Sequence, residues 1–206
     1  MGFLDEKCTL KIYDQHILEN CKPFDCGNDD LNEFFAKDVI DYTSELLGKS
    51  YCFTYDEDES QIVAAFTVSN DSIKTFSLPN SRKKKVNTDI PRQKQMKSYP
   101  AVLIGRLGVN INFRDKIKNS KHRIGDELMD FIKSWFIDKA NKTGCRFIVV
   151  DAYNKPIPLK YYKRNGFIEL FSTEEQEKEY MNLSDESTLA TRLLFFDLII
   201  LSSEQR

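Results

Sequence analysis

The stretch from Tyr99 to Ile137 constrains this chain more than any other part of it. It opens on an apolar run, Ala101-Val102-Leu103-Ile104, followed by Gly105-Arg106-Leu107-Gly108-Val109. It closes on Leu128, Met129, Phe131, Ile132, Trp135 and Phe136, which recur at helical spacing. Between the two lies a cationic turn, Lys116 to Gly125, carrying Lys118, Lys121, His122 and Arg123. A strand that feeds a basic, glycine-containing turn at the start of a helix converges backbone amides on an anion, commonly a phosphate. Glycine inside a strand marks a bulge, where N–H groups leave the ladder and can face a ligand. The stretch therefore predicts a phosphate-bearing ligand lying against a deformed strand.

The flanking sequence supplies a sheet for that strand. Residues 8–13 alternate as an opening strand, and Asn28-Asp29-Asp30 reads as a helix start. The helix behind it places Leu31, Phe34, Phe35, Val39, Ile40, Tyr42 and Leu46 on one face and is predicted to stop at Gly48. Residues 51–55 and 62–68 read as two strands joined by the polar turn Asp56–Ser60. That acidic turn lacks the glycine and distal glutamate of a calcium loop.

Residues 70–98 are polar, basic and weakly periodic, the longest segment predicted to lie outside the core. After the central stretch, Gly144 is expected to end the helix, and residues 145–153 read as a strand buried on both faces. Pro156 suits the first turn of a short helix that Gly166 terminates. A strand is expected over 167–171, a charged surface helix or excursion over 174–182, and a last buried strand over 193–201. The helix after Gly125 must cross over so that strand 145–152 lies parallel to strand 101–109. A splay between those two strands would open a ligand cleft at their carboxyl ends. The fold class is thus mixed α/β (α+β), with a mostly antiparallel sheet, splayed central parallel strands and flanking helices. Residues 1–206 are expected to form one domain, with a basic loop insertion at about 70–98.

Composition narrows the partners. A net charge of −2 gives no global signal for nucleic acid or membrane. The local distribution is uneven: Arg82-Lys83-Lys84-Lys85 with Arg92, Lys94 and Lys97 forms a basic block, and Glu174, Glu175, Glu177 and Glu179 an acidic one. Five scattered cysteines, Cys8, Cys21, Cys26, Cys52 and Cys145, with no apolar leader, predict a reduced cytoplasmic protein. Cys21 and Cys26 lack a second ligand pair, so no metal is expected. No apolar run reaches the roughly 18 residues of a membrane span.

The order of these pieces resembles the GCN5-related N-acetyltransferase (GNAT) superfamily. The matching residues are Arg106-Leu107-Gly108-Val109, the turn Ser120–Gly125 with its helix, Asn154, and Tyr161-Tyr162-Lys163-Arg164-Asn165-Gly166-Phe167. The last carries the superfamily's aromatic-Tyr-x-x-x-Gly-Phe ending. FDCGNDDLNEFF, FTVSNDS and YPAVLIGRLGV are similar to the subgroup of GNAT toxins that acetylate aminoacyl-tRNA. The likeness covers about residues 20 to 170.

The resemblance implies acetyl-CoA as acetyl donor and a ligand-binding set. Leu107, Gly108 and Val109 would contact the pantetheine arm, with the N–H near Leu107 or Gly108 stabilising the oxyanion. One such donor is worth about 3 kcal/mol. The phosphate turn falls on Ser120, Lys121, His122, Arg123, Gly125 and Asp126, where Ser120 stands for the family's Arg or Gln and Arg123 for its first glycine. Asn154 would bond the pantetheine and Tyr162 would protonate the leaving thiolate. No general base is evident, although Asp151 ends a strand beside the expected cleft. An α-amine, with a pKa of about 7.7–8.0, reacts without one more readily than a lysine at about 10.4.

Three readings follow: an N-acetyltransferase acting on a small amine or peptide N-terminus, one acting on aminoacyl-tRNA through the block 82–97, or a degenerate fold that only binds. A homodimer is compatible with each.

Overall fold

The structure, a computed structural model, describes residues 2–88, 90–91, 97–114 and 123–203. The strands are β1 (Cys8–Ile12), β2 (Lys49–Tyr55), β3 (Asp58–Lys74), β4 (Ser98–Val109), β5 (Phe147–Tyr153), β6 (Ile168–Glu169) and β7 (Thr191–Asp197). They form one sheet in the order β1-β2-β3-β4-β5-β7-β6. Pairing is antiparallel between β1 and β2, β2 and β3, β5 and β7, and β6 and β7. β5 follows β4 in the sheet after the crossover through helix α7 (Ile124–Ile137), the parallel step that the order of elements requires. The predicted mixed α/β class, with a mostly antiparallel sheet and flanking helices, is the one observed. The chain forms two compact units, Met1–Ser69 with Ile104–Trp135 and Asn70–Leu103 with Phe136–Arg206. β4 contributes its first half to the second unit and residues 104–109 to the first.

In the first unit, the short helices α1 (Phe3–Lys7) and α2 (Gln15–Asn20) flank β1. Their brevity hides them from periodicity. β2 and β3 close on a two-residue turn, Asp56-Glu57, with Tyr55 opposite Asp58, so the strands run further than their apolar cores suggest. The acidic turn is neutralised by lysines: Lys7 reaches Glu57 at 3.3 Å, Lys11 reaches Glu59 at 2.6 Å and Lys22 reaches Asp58 at 2.9 Å. α7 lays its apolar stripe on β2 and β3, with Trp135 edge-on to Tyr51 at 4.8 Å and Phe131 edge-on to Phe53 at 5.0 Å. α7 ends at Ile137, short of Gly144.

The helix expected to run to Gly48 is three pieces: α3 (Asp29–Glu33), a π-turn (Phe34–Asp38) and α4 (Val39–Ser44). It stops in a Schellman cap with Leu46 at φ 57°, Leu47 N–H donating to the Tyr42 carbonyl at 3.1 Å and Leu46 N–H to Thr43 at 3.1 Å. Gly48 serves close approach instead, because a Cβ there would lie 2.9 Å from the Val68 carbonyl oxygen.

In the second unit, the described residues of the segment 70–98 hold more regular structure than its composition predicts. They hold the end of β3, a 3₁₀ turn (Thr75–Ser77) and helix α5 (Asn80–Val86). Ile73, Leu78, Val86 and Ile90 enter one core with Tyr99, Phe147, Phe171 and Phe195. Four isolated apolar residues at irregular spacing anchor it, which no periodic signal announces. The expected strand 167–171 reduces to β6. The expected final strand stops at Asp197 and turns into α10 (Ile199–Ser203), where Asp197 Oδ1 accepts from Ile199 N–H at 3.1 Å. α8 (Pro156–Arg164) and α9 (Glu174–Tyr180) form where predicted. Glu177 of α9 is nevertheless completely buried, in a helix whose composition reads as surface.

Candidate functional site

Of the residues singled out from sequence, Leu107, Gly108, Val109, Arg123, Gly125 and Asp126 fall in the first unit, and Asn154 and Tyr162 in the second. Ser120, Lys121 and His122 lie outside the described residues, as do Arg92, Lys94, Lys116 and Lys118.

Along β4, Leu107 and Val109 are half-exposed, whereas Gly108 is buried. A Cβ at Gly108 would sit 2.9 Å from Cys26 Cβ and 3.2 Å from the Phe24 ring, so this glycine makes room for the Phe24–Cys26 segment. Gly105 faces open space, since a Cβ there would meet nothing within 4 Å. The Asp25–Asn32 motif builds the loop that presses on Gly108. Asp25 Oδ1 accepts from Gly27 N–H at 2.7 Å and from Asn32 Nδ2 at 2.8 Å, while Asn32 Oδ1 accepts from Cys26 N–H at 2.8 Å. Gly27 is at φ 68°, and Asn28 caps α3 through Leu31 N–H at 3.1 Å. The Gly27 amide and then Asn32 hold the Asp25 carboxyl below its usual range. The Arg114 guanidinium, carried on α6 (Ile111–Arg114), donates to the carbonyls of Cys26 and Val109 and ties the loop to the end of β4.

At the start of α7, the Arg123 carbonyl accepts from Asp126 N–H at 2.8 Å and Glu127 N–H at 3.1 Å. Those two amides are therefore engaged. Arg123 itself is exposed, and Gly125 and Asp126 are half-buried in the first turn. Glu127 is a structural residue that no sequence signal marks: its Oε2 accepts from Leu4 N–H at 2.9 Å and caps α1. A side chain on Gly2 would strike that carboxyl at 2.5 Å, so the Gly2–Glu127 contact is tight.

In the second unit, α8 delivers Tyr162 in a fixed pose. Gly166 at φ 80° ends the helix, its N–H donating to the Lys163 carbonyl at 3.1 Å, and Phe167 N–H donates to the Tyr162 carbonyl at 3.0 Å. Asn165 Nδ2 adds a bond to the Tyr161 carbonyl at 3.0 Å. The Tyr162 ring lies edge-on between Tyr161, at 5.1 Å, and Phe167, at 5.4 Å. The residue keeps partial exposure, yet burial of its phenol pushes the pKa well above the ordinary tyrosine range. Its hydroxyl has no hydrogen-bond partner among the described residues. A phenol so placed stays protonated at neutral pH and has its O–H to give.

Asn154 is differently committed. Its Nδ2 donates to Glu174 Oε1 at 2.9 Å and to the Leu189 carbonyl at 3.0 Å, which leaves its Oδ1 alone for a ligand. Asp151 is exposed on β5, opposite Leu193 of β7. In the basic block, Arg82 is engaged, donating to the carbonyls of Leu170, at 2.7 Å, and Glu169. Lys83, Lys84 and Lys85 of α5 have no acidic partner among the described residues. Among those residues no group of three or more His, Cys, Asp or Glu side chains could hold a metal, and no helix is long and apolar enough to cross a membrane. All five cysteines are free thiols.

No family model and no curated protein matches the chain by sequence. Solved structures do match it. AtaT complexed with acetyl-methionyl-tRNAfMet is 19% identical with a TM-score of 0.62, over 97% of this chain and 99% of that one. A tyrosine-to-phenylalanine mutant of KacT is 17% identical with a TM-score of 0.62, over 97% and 99% of the two chains. AtaTR bound with acetyl-CoA is 17% identical with a TM-score of 0.58, over 98% and 99%. At such identities the likeness speaks for the fold, and the fold is the GNAT-like one that the order of sequence motifs implies.

Proposed function

We propose that this chain is an acetyl-CoA-dependent N-acetyltransferase acting on a primary amine, with the α-amine of an aminoacyl-tRNA as its acceptor. The observation that carries the reading is Tyr162: a half-buried, protonated phenol, fixed by a helix cap and lacking a partner for its O–H among the described residues. Acetyl-CoA supplies the acetyl group as a thioester. The amine lone pair attacks the thioester carbonyl carbon, and the backbone N–H at Leu107 or Gly108 receives the developing oxyanion. As the C–S bond breaks, Tyr162 gives its proton to the sulfur and the nitrogen releases one to water, which restores the phenol. An α-amine needs no strong base, in keeping with Asp151 being exposed and without an assigned role.

The acceptor class is supported by the AtaT complex with acetyl-methionyl-tRNAfMet, a structure of the same fold. Lys83, Lys84 and Lys85, held out on an anchored helix, would contact phosphates, so binding should weaken steeply with salt. Five free thiols suit a reducing compartment such as the cytoplasm.

The test is thiol release with acetyl-CoA and bulk aminoacyl-tRNA by the parent and by Tyr162→Phe. The variant should bind acetyl-CoA as the parent does and turn over about 10²-fold or more slowly. Equal turnover would remove Tyr162 as the acid. The engaged donors of Asn154 favour a second reading, a fold that binds without catalysing. Calorimetry that gives no heat with acetyl-CoA and thiol assays that give no turnover would select it.

A further inference from the structure

Arg106 stands on β4 immediately before Leu107, so its side chain leaves the opposite face of the strand. Its guanidinium lies 4.4 Å from the Phe34 ring centroid and 5.9 Å from that of Tyr42. Those two rings meet edge-on at 5.5 Å. They are eight residues apart, which in an uninterrupted α-helix would put them about 80° out of line. The π-turn Phe34–Asp38, with Val39 N–H bonded to the Phe34 carbonyl, absorbs one residue and reduces the step to an effective seven. That irregularity is what builds an aromatic shelf under the arginine.

Among the described residues the shelf carries a charge with no counterion. Arg106 is half-buried, and its one hydrogen bond among the described residues is a long one, 3.4 Å, to the carbonyl of its neighbour Gly105. No carboxylate pairs with it among the described residues. A guanidinium held over two rings and making a single long hydrogen bond has N–H donors left over, and its planar fork suits a phosphate. We propose that Arg106 holds a phosphate of the acceptor and so selects phosphate-bearing amines over free ones. This rests on the acetyltransferase reading and names the acceptor determinant within it.

The experiment compares kcat/KM for bulk aminoacyl-tRNA with that for an amino-acid methyl ester in the parent, Arg106→Ala and Arg106→Lys. The preference for aminoacyl-tRNA should fall about tenfold to a hundredfold in Arg106→Ala, the range for a charge-assisted hydrogen bond. Arg106→Lys, which keeps charge but loses the planar fork, should recover only part of it. Acetyl-CoA affinity by calorimetry should stay within twofold, since a phosphate of the coenzyme is the rival occupant. An unchanged preference, or a matching loss of coenzyme affinity, would overturn the assignment. Filter binding of bulk deacylated tRNA needs no turnover: an inactive parent whose binding still weakens in Arg106→Ala would count against the acetyltransferase reading alone, and equal binding would count against Arg106.

Discussion

The N–H of Phe167 donates to the carbonyl of Tyr162 at 3.0 Å while their two rings meet at 5.4 Å. This is a Schellman cap with its accompanying apolar contact, the left-handed position being filled by Gly166. The Tyr-x-x-x-Gly-Phe spacing is therefore not a string of separate functional residues. Glycine and phenylalanine are the means by which a helix end aims one phenol.

Gly166→Ala should accordingly damage stability and turnover together. A left-handed backbone costs an L-residue about 1–2 kcal/mol, and the new Cβ would stand 3.0 Å from the Phe196 ring. A loss of about 1–3 kcal/mol is expected, with a lower Tm and slower thiol release. Gly166→Asn, which tolerates the left-handed region better, should lose less in both assays. Alanine and asparagine variants of equal stability would show that the backbone conformation is not what matters there.

The raised pKa of Tyr162 has a sign that kinetics can read. Burial disfavours the phenolate, so the acid form persists above the unperturbed value of about 10. The rate should rise with pH as the acceptor amine deprotonates near about 8 and then stay level to about pH 10. Measuring kcat from about pH 6.5 to about 10 checks this. An alkaline limb with a midpoint below about 10 would mean that some other group gives the proton.

The fold is readable where a rule is local and periodic. Gly166 after an amphipathic helix, Asn28 before one, and the apolar stripe from Leu128 to Trp135 each declare themselves over a few residues. What escapes reading depends on contacts distant in sequence. Gly108 signals a bulge in isolation, but the structure puts Cys26 where its side chain would be. The segment 70–98 reads as peripheral because Leu78, Val86 and Ile90 are spaced by nothing regular, though all three are buried. Asn154 fits a ligand role by position, while Glu174 and Leu189 occupy its amide. Arg106 reads from sequence only as part of a strand motif, since one inserted residue in a helix about 70 positions away decides what lies beneath it.

Leu46 is the converse of Gly166. It occupies the left-handed position of a Schellman cap with a leucine that is 91% exposed. Replacing it with glycine removes backbone strain and forfeits no packing, although the unfolded chain gains some freedom. Leu46→Gly should stabilise the protein by about 0.5–1 kcal/mol and raise Tm by about 1–3 °C in a scanning melt. An unchanged or lower Tm would mean that the helix end relaxes in solution.

The last prediction concerns Glu177, a carboxylate buried completely. Its Oε2 accepts from Arg192 Nε at 2.6 Å and its Oε1 from Leu193 N–H at 2.5 Å. Burial raises its pKa, and the Leu193 amide and Arg192 work in the other direction. Arg192 is itself buried, with Nη1 no nearer than 3.9 Å to Glu169 and Glu174. Glu177→Gln would leave that guanidinium without a close counterion at a cost of about 3–5 kcal/mol. The same network reaches α8, because Glu169 pairs with Lys163 at 2.9 Å beside Tyr162. Glu177→Gln should therefore lower Tm by about 6–20 °C and weaken turnover at temperatures where the protein is still folded. The double variant Glu177→Leu/Arg192→Met, which removes both charges, should regain most of the stability. If the single and double variants melt alike, the pair is not what α9 and β7 depend on.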